Sequence, residues 1–352
     1  MSEALDWYRS REMPPKVRLP PSRAVRNWFR AWLPEPDVRG KTIVLYSRRT
    51  FPKVSWAGTR SDFHGLFSEF HSVLGALAYA EAHGSAGVRV DFRSPLYHER
   101  GRGPNWWTYF FEPAAMRLDP GASAADLEVH LNGAITKYGT YGGFSDVVGG
   151  PLAYLYPMTY GISRSVLHRL LTAHVHVRPE ILDEVARFIE TRFEPGAYVV
   201  GVHYRGTDST HGWTGALTNY RTSRVPYRAY ADEVRRALDA AGPRVYQLFV
   251  ATDEVDCLEF MRREFGDRVL CLEDAPRVHP HQQAVHLDLT LPVSNYQKGK
   301  SALVDCLVLA ATSYLVKGRS NLSDASLAFN PQLPYSFRPD VAALPQPPAS
   351  SL

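Results

Sequence analysis

The chain has 352 residues, of which 45% are hydrophobic and 22% charged, with a formal net charge of +4. This length and composition fit a globular protein with two domains. A charge this small, without blocks of Lys and Arg, argues against nucleic acid as the main partner. The N-terminus lacks the apolar core of a secretory signal, and the longest apolar run, residues 301–316, is too short for a bilayer. We therefore predict a cytoplasmic protein.

Residues 1–40 are predicted to be a basic, Pro-rich extension. Within them, residues 23–33 carry an apolar stripe at helical spacing, with arginines off the stripe. Such a helix either docks onto the domain that follows, the more frequent outcome, or makes a weak peripheral contact with a membrane. Both alternatives stay open.

The first domain is predicted to span residues 41–195. Its elements are a strand at 41–46, a helix at 66–83 and a strand at 88–92. This β-loop-α-β order is typical of a nucleotide-type α/β domain. Residues 94–113 are predicted to be an aromatic, polar loop. Residues 118–165 are rich in Gly and Tyr and show no clear pattern of helix or strand, and residues 137–150 within them are predicted to be a mobile loop.

The second domain is predicted to span residues 196–330, followed by an irregular Pro-rich tail at 331–352. Its predicted strands are 198–202, 245–251, 268–272 and 314–317, and its helices begin near residues 226, 254, 298 and 320. Strands that alternate with helices indicate a parallel sheet with helices on both faces.

The first strand of this domain runs directly into charged residues. Tyr198 to Val202 is apolar and is followed by His203, Arg205 and Asp208. Ligands of open α/β sheets bind outside the carboxyl ends of the strands. The fork of donors on Arg205 suits phosphate oxygens, although a structural ion pair at the strand end is equally consistent with the sequence.

Two other strands end in polar residues at the same predicted edge. Asp253 follows one of them, and the next helix starts with Ser320, Asn321, Leu322 and Ser323. Asp253 either caps a helix or binds a ligand, and a helix N-terminus is both a cap site and an anion site. Asp305 lies in an otherwise apolar helix, where a carboxylate needs a partner. That partner is either the two adjacent N–H donors of guanine or a cation such as Lys298 or Arg319.

Cysteines and histidines indicate neither a disulfide framework nor a metal site. The cysteines are Cys257, Cys271 and Cys306, and the loop histidines are His279, His281 and His286. The wide cysteine spacing predicts reduced, buried thiols. The histidines lack the ordered ligand pattern of zinc sites, so we predict no metal.

Three motifs together resemble the donor-site motifs of the GDP-fucose-dependent fucosyltransferases. They are HYRGTD (residues 203–208), FVATDE (residues 249–254) and VDCLVLAATSYLVKGRSNLSDAS (residues 304–326). The pattern is most similar to the bacterial nodulation-factor α-1,6-fucosyltransferases, and protein O-fucosyltransferases are more distant. FHGLFSEFHSVLGALAYAEAHG, VRVDFRSPLY and NWWTYFFEP follow the order of that family's first domain, so the resemblance spans residues 41–330.

The resemblance implies an α/β fold of the GT-B class, with two Rossmann-like domains facing a central cleft. It implies that Arg205 grips the diphosphate, His203 lies beside the nucleotide, and Asp253 binds the ribose-base region. Asp305 would bind the guanine edge, and the backbone of Ser320 to Ser323 would meet the phosphates. The family inverts the anomeric centre and needs no metal or other cofactor.

We therefore predict a metal-independent, inverting glycosyltransferase that moves fucose from GDP-fucose to a glycan or glycosylated acceptor. The alternatives are another nucleotide-sugar donor or a non-catalytic protein of this fold. Two departures from the family motivate them: a first loop reduced to FHGLF, and Gly206 in place of an arginine. Asp208 is the candidate base, with His64 and Glu69 as acceptor-side alternatives. Acceptor, linkage and oligomeric state are not encoded in a recognisable pattern.

Overall fold

The computed structural model describes residues 38–46, 65–118, 128–131, 163–206, 225–280, 282–288, 290–318 and 320–337. These residues form two compact units, which divide between Pro179 and Glu180. The sequence predicted this division at residue 195. The difference concerns the helix that precedes residue 195. This helix packs onto the second unit, with its Phe188 ring 5.4 Å from the ring of Phe249. The predicted helix at residues 23–33 lies outside the described residues.

The first unit is built on a mostly parallel sheet. In chain order its elements are β1 (Thr42–Tyr46), α1 (Leu66–His83), β2 (Gly87–Asp91), a 3-10 helix (Trp106–Tyr109), β3 (Phe111–Glu112), β4 (Ala115–Arg117), β5 (Glu128–Leu131), α2 (Arg164–His174) and β6 (His176–Val177). Four strands form one sheet in the order β4-β2-β1-β5, and β3 pairs with β6. Strand β1 is parallel to both β2 and β5. The β-loop-α-β start of the domain is thus confirmed.

An aromatic core holds the first unit together. Trp106 and Trp107 are fully buried, and the Trp107 ring stacks on Phe111 with centroids 4.4 Å apart. The Trp106 indole N–H donates to Ser94 Oγ at 3.0 Å. The segment 94–113, predicted as a polar loop, therefore supplies core residues. Large aromatic side chains gain most from burial, whatever the regularity of their backbone.

Part of the segment 118–165, which shows no clear pattern in the sequence, is a strand, whereas the loop predicted at residues 137–150 lies outside the described residues. Glu128–Leu131 forms β5 and pairs with β1, from Thr42 opposite Glu128 to Leu45 opposite Leu131. Without it, one side of β1 would leave its backbone groups unpaired.

The second unit contains an all-parallel sheet. Its elements in chain order are α3 (Pro179–Arg192), β7 (Tyr198–Tyr204), α4 (Tyr227–Ala241), β8 (Tyr246–Thr252), α5 (Val255–Phe265), a 3-10 helix (Gly266–Arg268), β9 (Val269–Leu270), α6 (Asn295–Ala310), β10 (Tyr314–Lys317), α7 (Asn321–Phe329) and β11 (Tyr335–Phe337). The strand order is β11-β10-β7-β8-β9. The chain adds β8 on one side of β7 and β10 on the other, so the strand order reverses at β7. In open α/β sheets this switch point is where ligands bind.

The strand β11 corrects the prediction of an irregular tail from residue 331. It pairs in parallel with β10, with Leu315 opposite Tyr335 and Lys317 opposite Phe337. Pro334 directly precedes the strand and contributes only its carbonyl, which accepts the Leu315 N–H at 2.9 Å. Proline is compatible with a strand start because no ladder donor is lost there. The second unit thus extends at least to Phe337.

A glycine in β7 lets α6 approach the sheet closely. A Cβ on Gly201 would lie 2.9 Å from Thr312 Oγ1 and 3.0 Å from Leu309 Cδ2. Asp305 precedes Leu309 by one helical turn, about 5.4 Å along the axis. It therefore lies nearer the carboxyl edge than Gly201, level with the last residues of β7.

None of the helices in the described part of the chain is long and apolar enough to cross a bilayer. The three cysteines are free and buried, as predicted.

Candidate functional site

The switch point places two basic side chains beside each other. In the sheet register, Lys317 at the end of β10 lies opposite His203 near the end of β7. Lys317 is 3% exposed, and its Nζ lies 2.6 Å from Asp324 Oδ1 on α7. A buried ammonium with a carboxylate partner is the arrangement expected of a retained charge. Lys317 was not predicted as a site residue, although it lies at the end of the strand YLVK, as His203 lies near the end of its own strand.

His203 is a neutral imidazole. Burial, as the largest cause, and the charges of Arg205 and Lys317 together lower its pKa to about 3. Its Nδ1 is buried and has no hydrogen-bond partner among the described residues. Such an atom is costly unless something binds it. His203 therefore has an unused hydrogen-bonding group at the predicted ligand edge.

The residues after β7 are tied to those after β8. The two strands pair up to Tyr204 opposite Thr252. Beyond them, the Gly206 N–H donates to Asp253 Oδ1 at 3.1 Å. The first residue before α5 is Glu254, which makes no side-chain cap. Asp253 thus connects two strand ends, and the N-cap position of α5 belongs to Glu254.

A second carboxylate, Glu254, lies beneath this turn and was not singled out from the sequence. It is fully buried, and the Tyr227 hydroxyl donates to its Oε2 at 2.6 Å. A Cβ on Gly206 would lie 2.0 Å from its Oε1. The fourth letter of the motif ATDE was the available signal, because a carboxylate two residues beyond a buried strand needs a partner.

The N-terminus of α7 begins with a side-chain cap. Ser320 Oγ accepts the Leu322 N–H at 3.3 Å, and the Ser323 hydroxyl donates to the Ser320 carbonyl at 3.2 Å. One of the N–H groups expected to meet a phosphate is therefore already bonded to the cap. Asn321, the first residue of α7, is half-buried. The helix is held to α6 because Ser326 Oγ donates to the Cys306 carbonyl at 2.9 Å.

Asp305 belongs to a separate cluster on the face of α6. It is 8% exposed. Burial raises its pKa to about 7, against the attraction of Arg277 and with the repulsion of Asp274. Its Oδ1 and the Arg277 Nε are both buried, and within the described part of the chain neither has a hydrogen-bond partner. The predicted alternative of a Lys298 pair is not formed, because the Lys298 ammonium instead bonds the backbone carbonyl of Asp288.

The Arg277 guanidinium is fixed by two backbone carbonyls. Its Nη2 donates to Leu272 O at 2.8 Å and its Nη1 to Ala275 O at 3.2 Å. Arg277 thus presents a positioned cation near Asp305. It was missed because a single arginine in a long loop gives no periodic signal.

Several predicted site residues lie outside the described residues, namely His64, Asp208, His281 and Arg319. Glu69 is described and is fully buried in the first turn of α1. His279 Nδ1 lies 2.8 Å from Asp256 Oδ1. Among the described residues, no three side chains of His, Cys, Asp or Glu are grouped so as to hold a metal ion.

No protein-family model matches the chain, and no curated protein matches it. Among solved structures it is similar to NodZ α-1,6-fucosyltransferase soaked with GDP-fucose, with 17% identity, a TM-score of 0.50, and coverage of 83% of this chain and 93% of that one. It also matches FUT1 of Arabidopsis thaliana with GDP at 13% identity and a TM-score of 0.44, covering 90% and 73% of the two chains. POFUT1 with GDP matches at 10% identity and a TM-score of 0.44, covering 85% and 98%.

The match to NodZ shows the fold of this chain. Both units are α/β, and the architecture is of the GT-B class, as the sequence predicted. The fold that the resemblance of the three motifs implied is therefore confirmed.

Proposed function

We propose that this protein is a metal-independent, inverting fucosyltransferase, which transfers fucose from GDP-fucose to a glycan or a glycosylated small molecule in the cytoplasm. One observation carries the proposal. At the switch point of the second sheet, Arg205 leaves β7 beside the buried, neutral His203, whose Nδ1 has no partner in the described ranges of the chain. The similar NodZ structure contains GDP-fucose, which supports a nucleotide-sugar donor for this fold.

Arg205 would bind the diphosphate of the donor. When the sugar–phosphate bond breaks, negative charge grows on the phosphate that leaves with GDP. A guanidinium fork stabilises that charge through paired N–H donors, the role that a metal ion plays in other transferases. We assign this role to Arg205 because its planar fork matches a pair of phosphate oxygens, whereas an ammonium such as that of Lys317 is a point charge. His203 remains neutral and adds a hydrogen bond without another charge.

Asp305 would read the guanine base. Its carboxylate can accept the N1–H and the exocyclic amine, two adjacent donors that uracil does not present together. Burial raises the pKa of Asp305 to about 7, because the ionised carboxylate is poorly stabilised without a ligand. Hydrogen-bond donors of the base would therefore stabilise the ionised form more than the protonated form. Asp253 would serve the ribose-base region, and the first turn of α7, from Ser320 to Ser323, would face the phosphates.

Inversion by direct displacement needs a proton acceptor. The acceptor hydroxyl oxygen forms a bond to the anomeric carbon while the bond to the GDP oxygen breaks, and the hydroxyl proton goes to a base. We assign this base to Asp208, which follows Arg205 by three residues. His64 and Glu69 are the alternatives on the first unit.

Isothermal titration of the full chain with GDP, UDP and ADP tests the donor assignment. We expect GDP to bind more tightly than the other two, and a preference for UDP would contradict the guanine assignment. A panel of nucleotide sugars with mass-spectrometric detection of products tests the reaction. Transfer from another donor would identify a different transferase, and GDP-fucose bound without turnover over a broad acceptor panel would indicate a binding protein.

A further inference from the structure

The carboxylate of Glu254 is retained in a fully buried position. Burying a carboxylate costs free energy unless hydrogen bonds compensate it. One such bond is short and well defined, from the Tyr227 hydroxyl to Oε2 at 2.6 Å. A buried and oriented carboxylate next to a functional arginine calls for a role beyond packing.

Gly206 and Glu254 fit each other closely. A Cβ at position 206 would lie 2.0 Å from Oε1, 2.1 Å from Cδ and 2.5 Å from Oε2 of Glu254. These separations are far inside van der Waals contact, so any side chain at position 206 must displace the carboxylate. Glycine at this position makes room for the charge.

The two neighbours of Arg205 are both held in place. On one side, Tyr204 is 2% exposed, and its hydroxyl donates to the Val225 carbonyl at 3.1 Å. On the other side, the Gly206 N–H is bonded to Asp253. Tyr227 joins the two sides, because its ring packs edge-on against Tyr204 with centroids 5.0 Å apart while its hydroxyl holds Glu254.

We propose that Glu254, held by Tyr227, is the positioning residue of Arg205 and thereby sets the affinity for the donor diphosphate. The inference rests on the proposed function, in which Arg205 binds that diphosphate. A Cβ at position 206 forces either the carboxylate or the turn that follows Arg205 to move, and the guanidinium fork then no longer meets the phosphate oxygens at hydrogen-bonding distance. Shifts of about 1 Å at a positioned group can cost about 10²-fold in rate.

Isothermal titration with GDP and GMP isolates the diphosphate contact, because GMP lacks the second phosphate. We expect wild-type protein to bind GDP about 10- to 100-fold more tightly than GMP, as a hydrogen bond to a charged group allows. Gly206→Ala should bring this ratio close to one while the affinity for GMP is kept. Tyr227→Phe keeps the ring and removes one hydroxyl, and it should lower the ratio by at least about threefold.

A second substitution provides a rescue. Asp is one methylene shorter than Glu, so Glu254→Asp frees the space that a Cβ at position 206 needs. The double variant Gly206→Ala/Glu254→Asp should therefore recover at least about tenfold of the lost ratio, as expected for coupled residues in contact. Damage at position 206 that does not act through Glu254 predicts no such recovery of the ratio of GDP to GMP affinity.

Tyr230→Phe is the matched control. Tyr230 lies on the same helix and packs on the same Tyr204 ring, with centroids 5.1 Å apart. We expect it to keep the wild-type ratio and a cooperative thermal transition. Should Gly206→Ala not fold, Tyr227→Phe against Tyr230→Phe decides the question.

The outcomes separate this inference from the function on which it rests. If Arg205→Lys loses the preference for GDP while Gly206→Ala and Tyr227→Phe keep it, or lose GDP and GMP affinity equally, the positioning role is refuted and the proposed function stands. If wild-type protein does not prefer GDP over GMP, or Arg205→Lys keeps the preference, the proposed role of Arg205 fails and the inference fails with it.

Discussion

Replacing Asp305 by Asn should stabilise the empty protein and impair the binding of guanine. The substitution keeps the size of the side chain and removes its charge. Burial raises the pKa of Asp305 from 3.8 to about 7. The Asp305 carboxyl therefore stays protonated in the folded protein at pH values where it is ionised in the unfolded chain. The stability that comes from the protonated Asp305 is fully present below pH 3.8 and is lost as the pH rises to about 7.

The size of this effect follows from the two pKa values. A tenfold change in an equilibrium constant corresponds to about 1.4 kcal/mol, so the interval between 3.8 and about 7 corresponds to roughly 4 kcal/mol. Asn does not ionise, so the Asp305→Asn variant does not lose this stability as the pH rises. The variant should thus exceed wild type in its free energy of unfolding by an amount that grows across this interval and stays level above it.

Urea denaturation of the empty protein between pH 4 and pH 8 measures the difference. Asp239→Asn, at an exposed position of α4, is the matched control and should show no comparable gain. GDP should then raise the stability of wild type and leave Asp305→Asn nearly unchanged. An advantage independent of pH, or a variant less stable than wild type at pH 8, would refute the reasoning about the buried charge.

Three further predictions concern the switch-point edge. Arg205→Lys should lower turnover of GDP-fucose by about 10²-fold, because the point charge of Lys does not replace the guanidinium fork. Arg235→Lys on α4 is the control. Near-wild-type turnover of the Arg205→Lys variant would overturn the proposed role of Arg205. Asp208→Asn should remove the acidic limb of the pH–rate profile while GDP affinity is kept, whereas an unchanged profile would assign the base to His64 or Glu69. The imidazole of His203 should show no protonation step by NMR between pH 5 and 8, since its pKa is lowered to about 3, and a step in that range would contradict its burial.

The sequence predicted the regular elements well. The helix α1 begins at Leu66 and ends at His83, and β10 spans Tyr314 to Lys317, both as expected. Both segments are mostly apolar and each is followed by a glycine, Gly84 or Gly318, so local signals and tertiary packing agree. The order of strands and helices then fixed a parallel sheet and placed Arg205 at its carboxyl edge.

The sequence did not predict contacts that depend on distant residues. Strand β11 follows two prolines and becomes a strand only because β10 offers an unpaired edge. Glu254 gains its position from Tyr227, which lies on another helix and gives no signal of its own. Arg277 is likewise placed by carbonyls of an irregular loop. In each case tertiary context decides, and a single sequence carries little trace of it.

The position of β7 in the middle of its sheet has a consequence for how the site forms during synthesis. The partner β8 is made soon after β7, with only one helix between them, whereas β10 must await α5, β9 and α6. Pairings between distant segments pay more chain entropy and form later. A nascent chain that ends before Tyr314 can hold Asp253 against Gly206 but has no residue to place opposite His203. We therefore expect ligand binding to be acquired in one of the last steps of folding, after most of the second unit is already assembled.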